Sequence, residues 1–170
     1  NTEFTVSTIL NNNVYVGTNN SGVLSFNLSN GTLTQEIKPN GPRENNAFSI
    51  TVNNNEIWMV YGSHTVLGNP YPIVKKGFSH FVNNTWVNNE FNDILESANL
   101  VYDNTTRKAS NLVFTAINPF NTNQVFISSF FSGILEVNNG VATKLFDKTN
   151  SELENLVIPG NSSYINDIRI

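Results

Sequence analysis

Leu112–Phe146 reads LVFTAINPFNTNQVFISSFFSGILEVNNGVATKLF. An apolar strand (LVFTAI) leads into a polar turn (NPFNTN), and a second strand carries Phe126. A glycine-led strand, Gly133-Ile-Leu-Glu-Val137, follows; an Asn-Gly turn then precedes the last strand. Short runs rich in Val, Ile, Phe and Thr, bounded by Asn and Gly, are the punctuation of strands and turns.

The same layout occurs twice upstream. It begins at Phe4 (FTVSTIL-NNN-VYVGTNNSGVLSFNLSNGTLTQEI) and again at Ala47 (AFSITV-NNN-EIWMVYG), continuing at Gly77 (GFSHFVNNTWVNN). The second strands carry Tyr15, Trp58 and Phe126. The third strands open on Gly22, Gly77 and Gly133, which lie 55 and 56 residues apart. Four strands per repeat at this period is the pattern of propeller blades, each of which needs a neighbour to cover its apolar faces. The expected fold is therefore all-β: a partial β-propeller of about three four-stranded antiparallel blades. The blades span about 3–38, 47–88 and 111–147. SYINDIRI at 163–170 reads as the first strand of a fourth. The repeated glycine either relieves crowding at a bulge or marks a turn.

Two insertions interrupt the repeat. Gly62–Lys76 (GSHTVLGNPYPIVKK) separates the second and third strands of the middle blade, and Asn88–Asn111 separates the last two blades. Loops of this length often carry function. Within the second, Phe91–Val101 places Ile94, Leu95, Ala98 and Val101 near helical spacing.

Composition excludes several classes. Charged residues are 13% of the chain, about half the usual ~25%, and Asn clusters such as Asn11–Asn13 fill turn positions. Net charge is −4 and there is no basic stripe, only the short pairs Lys75-Lys76 and Arg107-Lys108, which disfavours nucleic acid as a partner. No apolar run is long enough to span a membrane as a helix. The absence of cysteine excludes disulfides, thiolate metal sites and cysteine nucleophiles. No calcium-loop or HExxH pattern occurs, and no cofactor is expected. The opening at Asn1, without Met or a leader, reads as a processed product or a piece of a longer exported protein.

Catalytic residues are scarce. The two histidines are His64, in the first insertion, and His80, on a predicted strand. Glu90, Asp93 and Glu96 suit a polar helix face, although paired carboxylates also serve glycoside hydrolysis. The chain thus reads as a binding or scaffold module, not an enzyme. Aromatic side chains stack on sugar faces, and Tyr61, Tyr71, Trp86 and Tyr102 are candidates for that role. Tyr71, between two prolines, is the one expected to be exposed. With His64, Lys75 and Lys76 it forms a cationic-aromatic patch, which we read as the candidate ligand-binding residues for an anionic glycan.

Three stretches also carry a family resemblance: NGPRENNAFSITVNNNEIWMVYG from Asn40, NPYPIVKKGFSHFVNNTWVN from Asn69, and INPFNTNQVFISSFFSGILEVNNG from Ile117 with KTNSELEN from Lys148. In order and spacing they resemble the first propeller of PorZ-like proteins, components of the type IX secretion machinery of Bacteroidetes. The resemblance covers about Asn40–Ile170. It implies a larger, exported parent at the outer membrane surface, which supports a sortase-like partner and contacts anionic lipopolysaccharide without being the catalyst. No binding residue is carried over with it. The first forty residues are similar also to the periplasmic sensor propellers of hybrid two-component systems, which makes an oligosaccharide-binding sensor the alternative. A piece of a propeller leaves blade faces open, so the isolated chain is expected to self-associate or to need its parent.

Overall fold

The computed structural model describes residues 3–53 and 55–153. The strand expected at 163–170 lies outside the described residues.

Among the described residues twelve strands form three four-stranded antiparallel sheets, each a simple up-and-down meander. The first contains β1 (Phe4–Leu10), β2 (Asn13–Thr18), β3 (Val23–Asn27) and β4 (Leu33–Ile37). The second contains β5 (Ser49–Asn53), β6 (Glu56–Val60), β7 (Phe78–Val82) and β8 (Thr85–Asn89). The third contains β9 (Leu112–Ile117), β10 (Gln124–Ser129), β11 (Gly133–Asn138) and β12 (Val141–Phe146). One helix, α1 (Phe91–Ser97), follows the second sheet. The four-strand repeat read from the sequence is thus present three times. The chain divides into two compact units, Asn1–Asn40 and Gly41–Ile170.

The smaller unit is the first sheet. Left-handed Asn11 and Asn12 close its β1–β2 hairpin, a conformation that Asn tolerates. All seven residues of β1 are exposed, including Phe4, Val6, Ile9 and Leu10.

The larger unit holds the hydrophobic core. Side chains alternate between the faces of a strand, so β10 and β11 send Val125, Ile127, Leu135 and Val137 to one face, where all are fully buried. Trp58, Val60 and Phe78 from the second sheet and Phe91 and Ile94 from α1 join the same core. The opposite face of the third sheet carries Phe126, Ile134 and Phe146, all half-buried. The two sheets also meet through backbone: the Gly62 N–H donates to the Leu112 carbonyl at 2.7 Å. Thr51 and Thr115 bond through their hydroxyls.

The helix is shorter than the Phe91–Val101 window. Its start is braced by Asp93, whose carboxylate accepts the Glu90 N–H at 3.2 Å. Its end is a Schellman turn on left-handed Asn99, with Leu100 N–H donating to Leu95 O at 2.7 Å and Asn99 N–H to Glu96 O. Ile94 and Ala98 face the core as their spacing predicts, but Val101 lies beyond the turn and is exposed.

The repeated glycine has one structural job in all three sheets. Gly22, Gly77 and Gly133 each take a positive φ at the entry to the third strand, the first two just before it and Gly133 as its first residue. A Cβ there would lie 2.3, 2.0 and 2.0 Å from the carbonyl oxygens of Ile37, Asn89 and Phe146 at the ends of the fourth strands. Crowding and left-handed geometry therefore act together at this position.

His80 is buried against the core. Its ring stacks on Trp58 with centroids 3.7 Å apart, and its Nε2–H donates to Glu56 at 3.1 Å. The β11–β12 turn lies close by, since a Cβ on Gly140 would come within 3.4 Å of His80 Nδ1. Burial lowers its affinity for a proton below the ordinary value of 6.5, against the opposing hydrogen bond and charge of Glu56. The unfolded chain therefore binds the proton more readily than the folded one. Stability is full above pH 6.5 and declines as pH falls from 6.5 toward the lowered folded value. Denaturant midpoints measured between pH 7.5 and 5.5 are expected to fall, and His80→Asn to remove much of that slope; an unchanged slope in the variant would assign it elsewhere.

Candidate functional site

One buried residue bonds the first insertion at several points. Asn111 is fully buried and left-handed. Its side-chain oxygen accepts the Val74 N–H, and its Nδ2 donates to Pro70 O at 2.8 Å and Ser63 O at 3.3 Å. Its backbone N–H donates to Val74 O at 2.8 Å, while its carbonyl accepts the Phe130 N–H at 3.0 Å. The loop through Gly62–Lys76 is thus clipped at three points to the start of β9.

That clip places Tyr71, which follows Pro70 and precedes a cis peptide bond to Pro72. Tyr71 is 56% exposed, as expected from its setting. Its hydroxyl accepts a hydrogen bond from Arg107 Nη1 at 2.9 Å, and its ring lies edge-on to Phe131 at 6.3 Å. The Arg107 guanidinium sits 4.7 Å from the Phe131 ring centre and 5.4 Å from that of Tyr71. Its Nε–H donates to Asn104 O at 3.1 Å.

The Asp103–Arg107 turn supports this arrangement. The Asp103 carboxylate accepts the Thr106 hydroxyl and the N–H groups of Thr105 and Thr106, and its carbonyl accepts the Arg107 N–H at 3.0 Å. The hydrogen bonds from Thr106, hydroxyl first, hold the Asp103 carboxyl below the usual range, so it stays ionised and the turn stays closed.

The remaining candidates are placed differently. Lys75 Nζ lies 3.7 Å from the centre of the Tyr102 ring, which in turn meets Phe91 of α1 edge-on at 5.6 Å. Lys76 is paired with Glu44. His64 donates from Nδ1 to Thr65 O at 2.9 Å, and its ring packs 4.9 Å from Phe48 and 5.5 Å from Phe130. Phe130 and Phe131 are themselves 5.4 Å apart, so His64 and Tyr71 flank the same aromatic pair. The two lysines, adjacent in sequence, go to different partners.

Arg107 was not among the residues picked out from the sequence. The signal was present in its position, inside an insertion, but its contact with Tyr71 spans 36 residues. Two other candidates have internal duties. The Tyr61 hydroxyl is buried 2.6 Å from Ser79 Oγ, which donates onward to Asn88. Glu90 pairs with Arg43.

The class of fold is thus a set of four-stranded antiparallel meanders with one elaborated loop inside the second and another between the second and third. Over 92% of its length the chain is similar to a solved structure, with a TM-score of 0.65 at 15% identity. That structure is of PorZ, an essential bacterial surface component of the type IX secretion system of the human oral bacterium Porphyromonas gingivalis. The likeness is one of fold, and this chain corresponds to 20% of the length of that protein. No family model matches the chain. No curated protein matches it either.

Proposed function

We propose that this chain is a run of consecutive propeller blades from a cell-envelope component of type IX protein secretion, working as a scaffold with a glycan-contacting loop surface. The observation that supports it most is the fold likeness to PorZ over 92% of the chain. The sequence resemblance over Asn40–Ile170 points the same way. The half-buried Phe126, Ile134 and Phe146 face suits the seating of a further blade.

In this reading the loops clipped by Asn111 present Tyr71 and its neighbours to an anionic glycan such as lipopolysaccharide, while a sortase-like partner performs the chemistry. Strain lacking the gene is expected to accumulate uncleaved cargo, read by immunoblot of the cargo's signal region. Normal cargo processing in that strain would overturn the proposal. A transmembrane helix and kinase encoded downstream would favour the sensor alternative instead.

A further inference from the structure

We infer that Arg107 is the anion-recognising residue of the glycan surface, and that it takes a saccharide bearing a carboxylate or phosphate, with Tyr71 offering its exposed ring to the sugar. The inference rests on the glycan reading above and deepens it. Arg43 pairs with Glu90, Lys76 with Glu44, and Lys38 with Glu36. Among the described residues Arg107, Lys75 and Lys144 have no carboxylate within salt-bridge distance and rest on aromatic rings instead, and of these Arg107 lies beside the exposed Tyr71. A cation on a ring keeps its charge available to an incoming anion, which a salt bridge does not.

Geometry sharpens the assignment. Among the described residues two of the five guanidinium N–H groups are engaged, by Asn104 O and the Tyr71 hydroxyl, and the other three face no acceptor there. The guanidinium carbon rests 4.7 Å from the Phe131 ring centre, so the group is positioned before a ligand arrives. Arg107 also takes φ +50, a conformation unfavourable for a residue with a Cβ and long side chain. Glycine would adopt that conformation without strain.

The test uses the 170-residue chain and three probes by calorimetry: an oligogalacturonate, mannose 6-phosphate, and a neutral maltooligosaccharide of matching length. Wild type is expected to prefer a charged probe, the first if carboxylate is recognised and the second if phosphate is. Arg107→Gln and Arg107→Gly should each weaken the charged probe by about tenfold, the loss of one charge-assisted hydrogen-bonded contact. Neutral-probe binding should fall by much less than charged-probe binding in both variants, since the Tyr71 ring remains. Unaltered charged-probe binding in both variants would overturn the role of Arg107 while leaving the glycan reading in place. Equal loss of neutral and charged binding would make Arg107 a pin for Tyr71 and overturn it likewise. Wild type binding no probe would overturn the glycan reading, and this inference with it.

Discussion

Gly77→Ala and Gly133→Ala are each expected to destabilise the chain by about 3–4 kcal/mol, summing a left-handed backbone cost and forced displacement of a neighbouring strand. The new Cβ would sit 2.0 Å from a backbone carbonyl oxygen, that of Asn89 or Phe146. Backbone cannot swing aside as a side chain can, so β8 or β12 must shift and its ladder with β7 or β11 must distort. Gly68 supplies the control. It has φ +73 but nothing within 4 Å of a built Cβ. Gly68→Ala should cost about 1 kcal/mol, the conformational part alone. Urea denaturation of the three variants separates the two contributions. Equal losses at all three positions would mean that the close approach to the fourth strand carries no weight.

Asn111→Asp is the second large effect, at about 3 kcal/mol for lost donors in a buried, formerly satisfied site. The substitution keeps the shape and the tolerance of φ +46. It replaces the Nδ2 that donates to Pro70 O and Ser63 O with an oxygen, which repels both carbonyls. The acceptor for Val74 N–H survives, so the loop should loosen around Ser63 and Pro70 first. Tyr71 follows Pro70, and its bond to Arg107 should loosen with it. Amide exchange is the measurement: faster exchange at Thr65–Tyr71 with the sheet ladders still protected is expected. Wild-type protection of that loop in Asn111→Asp would show that the clip lies elsewhere.

The repeat was legible because burial and sterics act locally. Alternation in QVFISS and GILEVN announces one buried face, and the glycines recur because each sheet poses the same clash at the same corner. The helix was legible as far as its apolar spacing, but its end was set by Asn99, one of many Asn residues in turn-like positions. The loop surface was only half legible. Tyr71 between prolines was readable as exposed. The fate of Lys76 depends on Glu44, 32 residues away, and the pairing of Arg107 with Tyr71 spans 36. Such contacts arise from how the sheets bring loops together, and no local pattern encodes them. Asn111 was hidden for a further reason: in an Asn-rich chain, a buried Asn that serves three loop residues looks like any turn.

The most direct test of the account is the electron-microscopy structure of the full gene product. The account predicts further four-stranded meanders closing a ring, with one seated on the Phe126, Ile134 and Phe146 face of the third sheet. That face left open to solvent, or covered by helices, would contradict it.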